Sequence, residues 1–449
     1  SFDLQGSDNA AANRVVFNGS GTLKLTGAAV DFLPQIVASE GITATVAAEA
    51  ETAVRFKNHV SVKGTLALSN VTAAFGDKAM TPAEVDAALS VVAAFPMLDV
   101  AALAEGTSIP VDGAAQITKK VEGLSFASTA FVALAGENAL GELDEYELDD
   151  CDFLIVNINA FKAESAVKVA AGRTLGFYTA TVGADFSWTE PGNDTFACDI
   201  VLGGTNETTK AVSRLALWST KPATHTFSGA ISGIGDVESR PMVGTGTQTA
   251  GPSITYNMYA QPQTFQGLLR EWKATGQAFN MRVPAGGVVP YLVELVNICT
   301  ITFFNVEGEN AVVVPSFRSG YYNTTLNIRA NQTVTVQELN GVGGFNVTGQ
   351  GSSSSTFVLE KNLTPQNILR MVGVTFVLDE ATLAATPYSF VENTGGNKGR
   401  VWFRKGANGS LDKTVPAGCD AVVCAGRTVT GNFTTLPTGA TLTIGKGAD

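Results

Sequence analysis

Charge is scarce in this 449-residue chain. Asp, Glu, Lys and Arg make up 16% of it, against about a quarter in an ordinary soluble domain. What charge there is leans acidic, with 41 Asp and Glu against 29 Lys and Arg and a formal net charge of −12. The cations are scattered and form no basic stripe, so nucleic acid is disfavoured as a partner. An anionic membrane surface is disfavoured on the same ground. Long apolar runs are also missing. The longest, 85–95 and 288–296, fall short of the roughly 18 residues that a membrane helix needs. No secretory leader is recognisable at Ser1, which fits either removal of a leader or trimming of an initiator Met before a small residue.

Histidine and cysteine are nearly as rare. There are two histidines, His59 and His225. His225 lies near Ser228 and Asp236 in sequence, but no G-x-S-x-G elbow presents the serine, which argues against a serine hydrolase. The five cysteines are Cys151, Cys198, Cys299, Cys419 and Cys424. They form no CxxC pair and no Cys/His cluster, so structural zinc is disfavoured. An odd number cannot all pair within one chain. Cys419 and Cys424 are close enough for a disulfide across a tight turn, with Pro416-Ala417-Gly418 just ahead. The others read as small, buried apolar residues. Phosphate loops are absent too: Gly445-Lys446-Gly447 lacks the upstream glycine and the following Ser or Thr. Gly341-Val342-Gly343-Gly344 lacks a strand–helix context and reads as a turn-rich stretch.

What is abundant is glycine (47 residues), together with short β-branched runs carrying Thr and Asn. In Thr22-Leu23-Lys24-Leu25-Thr26 the leucines share one face and the polar residues the other, the period of two that a strand requires. Similar runs recur at 60–75, 121–134, 153–158, 167–169, 175–182, 312–314, 324–328, 333–336, 374–378 and 401–403. Helices are expected at three places. Thr81-Pro82-Ala83-Glu84 is a capping box opening a helix over 81–95. Phe265, Leu268, Leu269 and Trp272 predict a short helix over 265–275. A third begins at Thr364-Pro365 and runs to Met371. Phe303-Phe304 and Trp402-Phe403 read as packing positions.

The fold class is therefore mainly β: a parallel β-solenoid or tandem β-sandwich domains, with a few short helices. Composition divides the chain into an N-terminal β region (1–105), a central β region (106–250) ending in a Gly/Ser/Thr-rich stretch, and a C-terminal β region (251–449). Ala171-Gly172-Arg173-Thr174 recurs as Ala425-Gly426-Arg427-Thr428, and Gly136-Glu137-Asn138-Ala139 as Gly308-Glu309-Asn310-Ala311, but the two offsets define no common period. The segment Leu326-Asn327-Ile328-Arg329-Ala330-Asn331-Gln332-Thr333-Val334-Thr335-Val336 resembles, in its patterning, the coils of secreted β-solenoid adhesins and viral or phage fibre proteins. That resemblance implies the solenoid and display outside a cell or on a virion.

Two sets of residues could carry function. The acidic stretch holding Asp144, Glu147, Asp149, Asp150 and Asp152 is rich enough in oxygen to hold Ca²⁺, although its spacing is not that of an EF-hand loop. The alternative is a solvated acidic loop. Sequons begin at Asn18, Asn70, Asn193, Asn206, Asn323, Asn331, Asn346, Asn362, Asn408 and Asn432, and are glycosylation acceptors in a secretory pathway. Asn in turns followed by Thr in strands produces the same pattern without glycans. The expectation is a non-catalytic structural or adhesive protein on a cell surface, an extracellular filament or a virion. It would associate with itself through β surfaces and need no cofactor beyond possible Ca²⁺. A glycan or cell-surface receptor is the external partner expected. The alternatives are a glycan-binding tail fibre or spike, and a polysaccharide lyase or hydrolase built on a solenoid.

Overall fold

The computed structural model describes residues 14–27, 29–56, 60–75, 97–103, 124–126, 131–134, 142–148, 152–155, 157–177, 181–182, 188–189, 193–219, 222–239, 253–271, 276–296, 298–320, 324–341, 343–350, 354–363, 369–372, 374–378, 388–390, 400–403, 409–411, 420–424, 429–431 and 441–446. Among them every regular element is a strand, and no helix is long and apolar enough to cross a membrane. Strand pairing is parallel almost throughout. Among the described residues the antiparallel exceptions are Thr181–Val182 against Trp188–Thr189 and the bridge between Thr205 and Val212. Long parallel ladders between strands about one coil apart make this a β-solenoid and remove the antiparallel sandwich alternative. The chain divides into two compact units, Ser1–Val237 and Glu238–Asp449.

In the second unit the chain alternates between two parallel sheets. One holds Ile254–Met258, Gln277–Arg282, Cys299–Phe304, Thr324–Ile328 and Phe345–Gly349. The other holds Leu268–Glu271, Leu292–Leu295, Ala311–Ser319, Thr333–Gly341 and Ser355–Asn362, and continues to Val374–Leu378, Arg400–Phe403, Asp420–Cys424 and Thr441–Lys446. One coil takes about 23 residues, the separation of the stacked pair Asn257 and Asn280. In-register stacking places like on like in the interior. Tyr256, Phe279, Ile301, Leu326 and Val347 form one buried column, and Leu269, Val293, Phe317 and Leu339 another. Each such side chain contributes about 1.5–3 kcal/mol of burial. The rings of Tyr256 and Phe279 stack at 5.1 Å.

The corners explain how short strands become coils. Ser39–Ile42, Ala170–Arg173, Pro284–Gly287, Val306–Glu309 and Arg329–Gln332 are each closed by a hydrogen bond from the fourth N–H to the first carbonyl. Their third residues, Gly41, Gly172, Gly286, Gly308 and Asn331, all have positive φ, between 59° and 87°. That is the position where a turn of this kind needs Gly or Asn. In the described copy of each tetrapeptide, Gly172 and Gly308 fill the same corner position; the copies at 425–428 and 136–139 lie outside the described residues.

The later part of the first unit uses strands of four or five residues. Ala166–Val169, Thr174–Phe177 and Asn193–Phe196 are followed one coil later by Asp199–Gly203, Arg214–Leu217 and Ala223–Phe227, each paired in parallel with its predecessor. Tyr146, Phe161, Phe177, Phe196 and Phe227 fill the interior, with neighbouring ring centroids 4.8 to 6.2 Å apart. Nearer its start, Thr43–Phe56 and Val60–Phe75 pair in parallel with one register shift between Ala47 and Thr52. Leu25 is buried while Thr22 and Lys24 are exposed, as the alternation requires.

Two expected helices are corrected. Over 265–275, Phe265 is buried at an irregular corner and Leu268–Glu271 is a strand in register with Leu292–Leu295. Leu269 and Glu271 are buried while Leu268 and Arg270 face outward, a period of two rather than 3.6. Pairing with the next coil outweighs the local helical spacing. Of the helix expected to end at Met371, the described part, Leu369–Val372, is a strand paired with Phe345–Gly349. The capping box at 81–95 lies outside the described residues.

Candidate functional site

The polar groups with catalytic potential are tied into the coils. Asp194 and His225 sit opposite each other on adjacent strands. His225 Nδ1 lies 2.8 Å from Asp194 Oδ1, and both side chains are at most 5% exposed. The carboxylate beside His225 is thus Asp194, not Asp236. Ser228 Oγ instead donates to the Phe196 carbonyl at 3.3 Å. On the strand Glu145–Leu148, Tyr146 Oη accepts the N–H groups of Leu143 and Lys162 at 3.1 and 3.0 Å. Burial pushes its phenol up from the usual range. The Cys198 thiol donates to the Lys162 carbonyl at 3.2 Å and is pushed up by the same desolvation. Cys299 is buried, and desolvation and then the Glu271 carboxylate raise its thiol further. Both thiols are free.

In the second unit, Arg270, Glu294 and Arg318 are register partners on successive coils. Arg270 Nε and Arg318 Nη1 donate to the two oxygens of Glu294 at 2.9 and 3.0 Å. Arg270 also lies 4.0 Å from Glu238. The column therefore alternates Glu238, Arg270, Glu294, Arg318, and its glutamates are largely buried. Each of these charge-assisted hydrogen bonds is stronger than a neutral one. Such a column secures coil against coil.

The acidic stretch singled out for Ca²⁺ is spread over several elements. Asp144 is exposed and hydrogen-bonds Lys162, while Glu145 pairs with Lys168. Glu147 lies on the strand Glu145–Leu148 at a half-buried outward position. Asp152 begins the strand Asp152–Ile155, and Asp149 and Asp150 lie outside the described residues. Among the described residues no three His, Cys, Asp or Glu side chains are placed to hold a metal together. The sequons fall into several settings. Asn18, Asn70, Asn193 and Asn331 are exposed. Asn206 Oδ1 caps the N–H groups of Thr208 and Thr209, and Asn346 is half-buried within a strand. Asn70 and Asn331 hold φ of 55° and 59°, a conformation in which Asn is enriched. Asn362 is in a strand, and Asn323, Asn408 and Asn432 lie outside the described residues. Cys419 also lies outside them, and Cys424 ends the strand Asp420–Cys424.

One surface stands apart. The five strands from Ile254–Met258 to Phe345–Gly349 turn alternate side chains outward. Two outward columns are Thr255, Ala278, Thr300, Thr325, Asn346 and Asn257, Asn280, Thr302, Asn327, Thr348. Asn280 Nδ2 donates to Asn257 Oδ1 at 2.8 Å. At the next outward positions stand Tyr259, Arg282, Phe304 and Arg329. Tyr259 is 44% exposed, its ring stacks on Phe304 at 5.0 Å, and the Arg329 guanidinium lies 4.6 Å over the Phe304 ring. Arg282 Nη1 donates to the Ala260 carbonyl at 2.9 Å. No protein-family model, curated protein or solved structure matches this chain.

Phe303 and Phe304 thus part company: Phe303 is buried in the core and Phe304 faces outward, because adjacent strand residues point to opposite sides. The sequence carried a signal for this column. Asn257-x-Tyr259, Asn280-x-Arg282, Thr302-x-Phe304 and Asn327-x-Arg329 repeat once per coil. An uncharged array of amides and hydroxyls, edged by aromatic rings and guanidinium groups, can accept and donate hydrogen bonds and pack against flat ligands.

Proposed function

We infer that the chain is a non-catalytic structural or adhesive protein, displayed on a cell surface, an extracellular filament or a virion, that associates with copies of itself through its β surfaces. One observation carries this reading: reactive groups are spent on holding coil to coil. Glu294 is held by Arg270 and Arg318, Asp194 by His225, and Asp144 by Lys162. The outward sheet of the second unit meanwhile carries mostly Thr and Asn, with Arg282 and Arg329 towards one edge and no carboxylate, so the density of charge facing another copy is low there. Light scattering after size exclusion, combined with negative-stain imaging over a range of concentrations, tests the reading. Oligomers or filaments that grow with concentration are expected. A clean monomer at high concentration would overturn self-association. New reducing or unsaturated ends released from a polysaccharide panel would overturn the non-catalytic part.

A further inference from the structure

We propose that the outward face of the sheet from Ile254–Met258 to Phe345–Gly349 is a binding site for an extended glycan carrying carboxylate groups. The proposal rests on the adhesive reading above and names its ligand class. Three properties of the face support it. First, it presents no acidic side chain, although the chain as a whole has a formal net charge of −12. The nearest acidic residues in sequence, Glu307 and Glu309, belong to the following corner, where Glu309 accepts the Gly286 N–H at 2.9 Å.

Second, its two arginines make no ion pair. Among the described residues Lys24, Lys162, Lys168, Lys210, Arg270, Arg318 and Lys361 each pair with a carboxylate. Arg282 and Arg329 do not. Arg282 has one hydrogen bond, to the Ala260 carbonyl, and its buried Nε has none. Arg329 lies over the face of Phe304, which orients its guanidinium plane without neutralising it. Two oriented, unneutralised guanidinium groups suit carboxylates, which they can grip through paired N–H donors.

Third, the remaining side chains match sugar rather than protein or nucleic acid. Asn257, Asn280, Asn327 and Thr348, each half-buried on the face, offer both donors and acceptors, as sugar hydroxyls require, whereas Thr302 in the same column is buried. The exposed Tyr259 ring offers an apolar surface to the C–H face of a pyranose. Strands spaced about 4.8 Å apart make the five-strand row about 19 Å long, the reach of roughly four sugar units. A single-stranded nucleic acid would also stack on rings, but it needs a basic groove along its whole backbone.

Isothermal titration of the full chain with tetragalacturonate, cellotetraose and a dT oligonucleotide tests this. The wild type is expected to bind tetragalacturonate. Arg329→Gln is expected to weaken that binding by about tenfold, the loss of one charge-assisted contact, and Tyr259→Ala by a comparable factor. Arg329 and Tyr259 are exposed, and the far-UV spectrum and melting temperature of both variants should match wild type. Absence of binding to tetragalacturonate, or binding unchanged in both folded variants, would overturn the proposal. Equal or tighter binding to the dT oligonucleotide would replace it with a nucleic-acid reading. Preference for cellotetraose would remove the carboxylate from the ligand. A chain that assembles yet ignores all three probes would overturn this proposal alone, whereas a sugar-binding monomer would overturn self-association and leave this site standing.

Discussion

At Gly341 the backbone of one coil meets the next. A Cβ built there would sit 1.7 Å from the Ser319 carbonyl oxygen, and φ is 139°. Gly341→Ala should therefore destabilise the protein by about 1–3 kcal/mol or more, read as a lower midpoint in urea unfolding. The corner residues give a graded version of the same argument. Gly308→Ala should cost about 1 kcal/mol, because an L side chain disfavours its positive φ. Asn331→Gly should be nearly neutral at the equivalent position. Cysteine chemistry is a residue-scale test as well. Desolvation raises the thiol pKa of Cys198 and Cys299, so less thiolate exists at pH 8 than in an exposed cysteine. Peptide mapping after iodoacetamide treatment should show both unmodified in the native protein and modified after denaturation. Asp144 is held below its ordinary 3.8 by its hydrogen bond to Lys162 and then by the lysine's charge. A depressed carboxyl stabilises the fold above the unfolded pKa and loses that contribution as pH falls through the folded value. The pair is open to water, so its weight is small. Its NMR titration midpoint should lie below the ordinary value and return to it in Lys162→Ala.

At the scale of elements, the strands were legible and their neighbours were not. The alternation in Thr22–Leu25 and Thr324–Ile328 follows from burial of one face, and the structure places strands over both. The segment around Leu268 misled because Phe265, Leu268, Leu269 and Trp272 fit a helical stripe as a local pattern. What decides it is hydrogen bonding to Leu292–Leu295 in the next coil, which local spacing does not contain. The coil period was hidden for a related reason. Corner residues are Gly or Asn, and the offset between stacked residues changes along the chain, from 40 at Thr174 and Arg214 to 23 at Asn257 and Asn280, so identical letters rarely recur at one offset. The charge column shows the same limit. Arg270, Glu294 and Arg318 are scattered in sequence and become partners only through register. Glu294→Ala leaves two guanidinium groups facing each other across an uncharged gap. With Arg270 and Arg318 partly open to solvent, the expected cost is about 1–3 kcal/mol. A double-mutant cycle with Arg270→Ala should return a favourable coupling energy.

At the scale of the whole chain, composition already pointed to a β-protein of low charge, and the parallel ladders now state which kind. Function was far less legible. The Asn-x-aromatic and Asn-x-Arg repeats become a surface only after each coil is laid on the one before, so no single segment announces them. The sequons were ambiguous for a physical reason: Asn331 is where a corner wants a left-handed residue, and the Thr that follows is where a strand wants a β-branched one. The intact mass of protein taken from its native source should separate the two uses, since a value equal to 46.6 kDa leaves these asparagines as purely architectural.

The alternating column has a further consequence for how such a chain can change length. Excising the coil that supplies Arg270 would bring Glu238 against Glu294, and excising the coil that supplies Glu294 would bring two arginines together. Removing both at once would set Glu238 beside Arg318 and restore attraction. Growth or shrinkage here is thus subject to a parity rule, in which coils are gained and lost in pairs.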